Sequence, residues 1–557
     1  MNDQVKKLSA VEGIKTESHG LRGHLLEEFA AGGSQVSEEG YNLLKFHGSY
    51  EQFDRDTATY RKQHGLEKEY SFMLRVRMPG GRMTAAQYLG LDRLADDRAN
   101  GTLRITTRQG FQFHGILKGD LKAAIAEVNH TLLTTLCACG DVVRNITASP
   151  MPLKNAAREH IDEFAAALSR YLLPKTQSYY EIFLDKEIDP AVDETETLYG
   201  PTFLPRKFKI GITTPEDNTL DVLSNDLAII PLFDEEILRG YNIAVGGGLG
   251  MTHNKPQTYP RLASLIGFVK PDAVMTMVDA VIKLHRDFGD RGDRRRARLK
   301  YVIDDLGLPR VKEILRANFG AVFEEPHEMT LVVPELLGWH AQGDGSYWLG
   351  VPVPAGRIGD TDSVKLRTAL REIALRFSPE FVLTPLQDVL ITDLAADLRG
   401  EVEGILRGHG VVLAEHLTPL AKFALSCPAL PTCGLALTEA ERMHPEIVDG
   451  FDALLAKHGL TERRVSVRVT GCPNGCARSY SGDIGIVGRM PGFYALYVGG
   501  DFEGTRLSFK ILEKVPHEKV ISSFDPWLAA WARDGLAGEG FGDFCFRVGH
   551  DALLAML

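Results

Sequence analysis

Ser71-Phe72-Met73-Leu74-Arg75-Val76-Arg77-Met78-Pro79-Gly80-Gly81-Arg82-Met83 has a second version in Ser346-Tyr347-Trp348-Leu349-Gly350-Val351-Pro352-Val353-Pro354-Ala355-Gly356-Arg357-Ile358, 275 residues later. Each copy leads into a helix-like stretch, Ala85–Asp97 and Asp362–Phe377, and then into a strand with a glutamine, Leu103–Ile116 and Phe381–Leu394. A strand–helix–strand unit used twice predicts a duplicated α+β module. The segments that follow extend the parallel. Val142–Thr147 and the Lys207/Lys209 stretch follow the first copy, and Val467–Cys472 and Asp483–Gly488 follow the second. The expected architecture is α+β: an N-terminal arm (1–65), a first small module (66–140), a first larger α/β half (141–335), a second module (336–420) and a second half (421–557). The halves are expected to be related by a rough two-fold, and ligands favour such interfaces.

The second half carries five of the seven cysteines, four of them in two close pairs, Cys427-x5-Cys433 and Cys472-x3-Cys476, with 38 residues between the pairs. Pro-Asn-Gly between Cys472 and Cys476 is a turn that folds two sulfurs toward each other. Four thiolates suit tetrahedral zinc or an iron–sulfur cluster. The gaps of five and three residues, with two prolines in the first loop, fit structural zinc poorly. Cys137, Cys139 and Cys545 read as small core residues.

A net charge of −11 over 557 residues argues against general nucleic-acid affinity. The polar start Met1-Asn2-Asp3-Gln4-Val5-Lys6-Lys7 leads into no apolar run, so no secretory signal is expected. No run approaches the ~18 apolar residues of a membrane span. A cytoplasmic chain with reduced thiols is the expectation. Against this acidic background, cations gather locally. Period-two alternation puts Arg104, Thr106 and Arg108 on one face of Leu103–Arg108, Arg75 with Arg77, and Lys207 with Lys209. Arg144, Arg206 and the Arg291–Lys300 segment add to them. Cation-bearing strands in a duplicated protein predict a cationic cavity.

With these stretches, Leu21-Arg22-Gly23, Phe46-His47-Gly48-x-Tyr50, Arg108-Gln109-x-Phe111-Gln112-Phe113-His114-Gly115, Leu204-Pro205-Arg206-Lys207-Phe208-Lys209, Val245-Gly246-Gly247-Gly248-Leu249 and Glu539-Gly540-Phe541-Gly542-Asp543-Phe544 complete a pattern over nearly the whole chain. It resembles the sirohaem and [4Fe–4S] sulfite and nitrite reductases, and within them the haemoprotein subunits served by an NADPH flavoprotein. The resemblance implies ferredoxin-like small modules and two sirohaem- and cluster-binding halves. It implies that Cys427, Cys433, Cys472 and Cys476 hold a [4Fe–4S] cluster and that Cys476 also ligates the sirohaem iron. Sirohaem, a haem ringed with carboxylates, would be met by Arg104, Arg108, Gln112, His114, Arg294, Arg298, Lys300 and Asn474. Arg75, Arg144, Lys207 and Lys209 would cage the substrate.

The implied reaction is the six-electron reduction of sulfite to sulfide in sulfate assimilation and cysteine biosynthesis. Lys209, where nitrite reductases of the family tend to have asparagine, points to sulfite. Val245-Gly246-Gly247-Gly248-Leu249-Gly250 lacks the G-x-G-x-x-G spacing of a dinucleotide site and reads as backbone passing close to the macrocycle. Electrons are therefore expected from a partner, an FAD/FMN flavoprotein using NADPH or alternatively a ferredoxin. Two other readings stay open: a zinc-stabilised interaction protein with basic faces for an acidic partner or RNA, and an electron carrier without catalysis.

Overall fold

Four five-stranded sheets, two small and two large, carry the helices of this protein. A computed structural model describes residues 7–557; the expectation about the polar start falls on residues 1–6, outside the described residues. The described part of the arm, residues 7–65, is packed against the rest of the chain. Its strand Ser49–Phe53 pairs antiparallel with Tyr70–Arg75 in the first small sheet. Its buried Lys15 donates to Glu12 and to the Leu204 carbonyl.

The stretches Leu103–Ile116 and Phe381–Leu394, expected as single strands, are hairpins. Leu103–Ile105 pairs with Phe111–Ile116, and Glu380–Leu383 with Val389–Leu394. The two glutamines lie in the turns, where left-handed φ values (Gln109 50°, Gln387 74°) reverse the chain. Arg104 therefore lies in a strand and Arg108 in a turn, so one strand face does not carry both. The repeat's third strands cross over: Arg82–Thr84 pairs with Glu380–Leu383 of the other sheet, and Arg357–Ile358 with Leu103–Ile105. The crossing is tight. A Cβ on Gly81 (φ +74°) would lie 2.5 Å from the Leu383 carbonyl oxygen, and one on Gly356 (φ +75°) 2.4 Å from that of Ile105.

The first repeat helix runs Ala85–Arg98, opened by a capping box between Thr84 and Gln87. The second, Leu366–Phe377, starts later than its expected Asp362. The Thr361 hydroxyl accepts from Val364 N–H and holds that segment in a turn instead.

The halves share one topology. In the first, Thr147–Ala148, Ile210–Ile212 and Leu227–Asp234 are parallel neighbours, followed antiparallel by Ile237–Val245 and Ser264–Val269. In the second, Leu425–Ser426, Val467–Thr470 and Ile484–Met490 are parallel, followed antiparallel by Phe493–Val498 and Phe509–Pro516. This corrects the expected correspondence by one strand: Ile210–Ile212, not Val142–Thr147, matches Val467–Thr470. Two-residue Leu425–Ser426 is too short to show periodicity, so the sequence pattern starts the second half one strand late. One apolar core runs through both small sheets and the first half. The second half has its own, around Trp527 and Phe451.

Candidate active site between the halves

The four thiols come together at the C-terminal ends of the second half's parallel strands, where α/β sheets present their ligand loops. Cys427 follows Ser426, and its N–H donates to the Val469 carbonyl at 3.1 Å. Cys472 leaves the end of Val467–Thr470, and the Gly471 N–H donates to Cys427 Sγ at 3.3 Å. Arg55 of the arm donates to the Cys433, Gly434 and Ala436 carbonyls and pins the remaining loop. Burial, then the charge of Cys476, raises the pKa of Cys427 and Cys433, and pushes Cys472 up to about 12. Thiols that oppose one another's ionisation suit a positively charged inorganic partner that keeps them as thiolates. Among the described residues no three Cys, His, Asp or Glu side chains gather tightly enough for a single ion. The donor set, four soft sulfurs that act on one another's ionisation, suits an iron–sulfur cluster.

Cys427 and Cys472 are buried, whereas Cys476 is exposed. It opens on a cavity lined by Arg108, Lys207, Lys209, Arg298, Asn474 and Arg478. First-half cations thus face a second-half thiol. Lys207 and Lys209, just ahead of Ile210–Ile212, have ammonium groups with no hydrogen-bond partner among the described residues. Burial, then Arg206 and Arg144, holds Lys207 well below its ordinary pKa. Burial, then Arg108 and Arg298, lowers Lys209 to about 7, and burial with Arg144 lowers Arg108 to about 9. Arg75 Nε, Arg108 Nε and His114 Nε2 are buried without a partner. Orphaned donors and cations that depress one another are the signature of a site built for anions, and they fit both a carboxylate-ringed tetrapyrrole and an oxyanion.

Arg75 and Arg144 are not among the residues that line this cavity; their charges reach it through Arg108, whose pKa both help to lower. Arg75 Nη1 donates to Cys139 Sγ at 3.3 Å, and Arg144 Nη2 donates to the Tyr50 hydroxyl at 3.2 Å. Burial works against the Arg144 charge, but Tyr50 and Cys139 leave its pKa raised. Arg77, expected on the face of Arg75, is spent in the core on Ser169 and the Cys137 and Val143 carbonyls.

Several expected sirohaem contacts already have protein partners. Arg104 forks between Glu441 Oε2 (3.0 Å) and the Ser426 carbonyl (2.8 Å). Arg298 lines the cavity but pairs with Asp226 at 2.7 Å. Lys300 donates to the Gly248, Gly250 and Tyr259 carbonyls, and burial with Arg298 lowers it to about 6. Lys300 therefore holds the glycine loop. That loop passes close to protein backbone: Met251 N–H donates to the Pro473 carbonyl at 2.9 Å, and a Gly250 Cβ would lie 3.0 Å from the Asn474 carbonyl oxygen. Arg294 is 2.8 Å from Asp141, whose carboxyl Arg294, Lys15 and Arg206 hold far below its usual range against the opposing effect of burial. His114 Nδ1 meets Gln52 Oε1 at 3.2 Å, and Gln112 lies between Arg75 and Arg104 in the first small sheet.

Sequence reasoning passed over Tyr50 and Cys139 as site neighbours, although Tyr50 lay in a quoted motif and Cys139 five residues before Arg144. It also passed over Arg478, two residues beyond Cys476, which donates to the Thr219 and Pro385 carbonyls.

Residues 139–323 and 424–557 match the family described as the nitrite and sulphite reductase 4Fe-4S domain. Residues 64–130 and 340–409 match the nitrite/sulfite reductase ferredoxin-like half domain. The chain belongs to the nitrite and sulphite reductase family. Among its relatives in this family is the sulfite reductase [NADPH] hemoprotein beta-component of Myxococcus xanthus (strain DK1622), 43% identical over 99% of this chain and 98% of the relative. The sulfite reductase [ferredoxin] of Synechococcus elongatus (strain ATCC 33912 / PCC 7942 / FACHB-805) is 42% identical over 98% of this chain and 90% of the relative. The Mycobacterium tuberculosis NirA protein shares the reductase fold, with a TM-score of 0.81 and 23% identity over 99% of this chain and 98% of that one.

Proposed function

We propose that this chain catalyses the six-electron reduction of sulfite to sulfide at a sirohaem coupled to a [4Fe–4S] cluster. The observation that carries the reading is Cys476: it groups with the three other cluster thiols and also opens on the cavity that bears Lys207 and Lys209. Cys427, Cys433, Cys472 and Cys476 would hold the cluster, and Cys476 would be shared with the sirohaem iron. When bound, the coupled pair supplies single electrons at an iron that takes the substrate's sulfur from +4 to −2.

The chain's own residues bind, orient and protonate. Lys207, Lys209, Arg75 and Arg144 hold the dianion and meet the charge that builds on oxygen as each S–O bond breaks. At about 4 Å and an effective dielectric near 20, each such pair contributes on the order of 4 kcal/mol before desolvation. Lys207 and Lys209, with lowered pKa values, hold protons that can pass to a leaving oxygen. Arg108, Arg298 and Asn474, which line the cavity, would meet the macrocycle's carboxylates. Arg104, Arg294 and Lys300 would support that wall through Glu441, Asp141 and the glycine loop, while Gln112 and the unpartnered Nε2 of His114 would remain donors for it.

Lysine at 209 favours sulfite over nitrite, because a second cation suits the more highly charged anion. Comparing kcat/KM for the two oxyanions tests this; a clear preference for nitrite would overturn it. The relatives named for NADPH support a flavoprotein donor, and the ferredoxin-named relative is the alternative. Reconstitution with each purified donor separates them: turnover with ferredoxin alone would overturn the flavoprotein. No helix among the described residues is long and apolar enough to cross a membrane. The cytoplasm is the location that belongs with the proposed reaction.

A further inference from the structure

We propose that Gln387 is a positioning residue for the cluster, acting through Ser426 on Cys427; this rests on the cofactor reading above. Gln387 is buried in the turn of the second hairpin. Its Nε2 donates to the Ala355 carbonyl of its own repeat at 3.3 Å and to the Ile105 carbonyl of the other repeat at 3.4 Å. With both carbonyls demanding a donor, the amide presents its oxygen to the Ser426 N–H, at 3.2 Å. Ser426 is held at two further points: its carbonyl accepts from Arg104 Nη2 at 2.8 Å, and its hydroxyl meets His444 Nδ1 at 2.9 Å. The residue ahead of Cys427 is thus fixed on every polar group it has.

The two-fold supplies an internal control. Gln109 donates to the Gly80 carbonyl of its own repeat at 3.0 Å and to the Leu383 carbonyl of the other at 3.1 Å, and accepts from Ala148 N–H at 2.8 Å. The two glutamines make the same three bonds. The next residue is Ser149 in one case and Cys427 in the other, and their N–H groups donate to Ile212 and Val469 at matching places in the two sheets. One latch ends beside a cluster ligand; the other ends beside a serine with no metal role.

The latch matters because Cys427 Sγ accepts from Gly471 N–H at 3.3 Å. A hydrogen bond to a ligating sulfur favours the more negatively charged, reduced cluster, and so raises its potential. Loosening Ser426 lets Cys427 drift from Gly471 and weakens that bond. No ligand follows Ala148, and the Gln109 turn meets the proposed ligands only through Thr107, whose hydroxyl donates to the Cys476 carbonyl at 3.0 Å.

The test is a redox titration of the full-length, cofactor-loaded protein, with the reduced cluster followed by electron paramagnetic resonance, in wild type, Gln387→Leu, Gln387→Asn and Gln109→Leu. Expected is a shift to more negative potential in both Gln387 variants, larger for leucine, with Gln109→Leu at the wild-type value. Loss of the cluster from the Gln387 variants alone also supports the assignment. If Gln387→Leu does not fold, the milder Gln387→Asn reads the same shift. Wild-type potentials in the Gln387 variants, or equal shifts in the Gln109 and Gln387 variants, would overturn it. A wild-type protein without any cluster signal would instead overturn the cofactor reading.

Discussion

The first and second halves of this protein run in step bond for bond and differ in what they hold. Lys209 N–H donates to Asp226 Oδ2 just ahead of one central strand, as Ser466 N–H donates to Asp483 Oδ2 ahead of the other. Ser149 N–H bonds Ile212 as Cys427 N–H bonds Val469. In that register Ser149 stands for Cys427, Pro215 for Cys472 and Lys209 for Ser466. The duplicated scaffold sets backbone positions, while a few side chains make the copies chemically distinct. Thiols stand at the C-terminal ends of the second half's strands, and cations at the N-terminal ends of the first's. The cavity between them brings Cys476 of the second half to Lys207, Lys209 and Arg298 of the first.

Removing the Cys476 thiol should break this division most severely. Cys476→Ser is expected to yield folded protein that lacks coupled sirohaem and cluster, with turnover at background. Wild-type absorbance and turnover would contradict the bridge. The cationic side should respond less. Lys209→Met is expected to lower kcat/KM for sulfite about 10²-fold, with cofactor content retained, as for loss of one preorganised electrostatic contact. An unchanged kcat/KM would remove Lys209 from the cage.

A subtler difference separates the small modules. Asp388 stands where the first hairpin has Gly110, since Thr384 N–H bonds the Asp388 carbonyl as Thr106 N–H bonds that of Gly110. Burial pushes the Asp388 carboxyl up to about 8. In the unfolded chain it ionises near 3.8, so native stability is full below about pH 4 and falls as pH rises toward 8. Asp388→Asn, which keeps the acceptor for Val353 N–H, is expected to raise Tm at pH 8 by a few degrees, and by little at pH 4. An equal effect at both pH values would contradict the titration. The smallest effect is a null one. Ser149→Cys should leave iron per chain unchanged, because Pro215 supplies no second ligand; extra iron would show that the first half needs only a thiol.

The two cysteine pairs and the duplicated repeat, with the helix expected at Ala85–Asp97 and found at Ala85–Arg98, were legible because each has a strong local signal: turn residues between sulfurs and matched strings. The halves' register was not, since Leu425–Ser426 is a two-residue strand defined only by its neighbours. Nor was the exchange of Arg82–Thr84 and Arg357–Ile358 between sheets, a pairing across more than 250 residues. Cations read as cofactor contacts turned out to be partly committed because their acids lie far away in the chain: Glu441 for Arg104, Asp226 for Arg298, Asp141 for Arg294. Alternation assigns a face only as far as the strand runs, and it stopped short of Arg108. It says nothing of what waits on that face.

Visible absorption of freshly purified protein, with iron, acid-labile sulfide and zinc assayed on the same sample, tests the joint site most directly. The account predicts a tetrapyrrole spectrum that shifts when sulfite is added, with labile sulfide and iron in excess of the tetrapyrrole's single atom. Colourless protein carrying zinc, or pigment without labile sulfide, would contradict it.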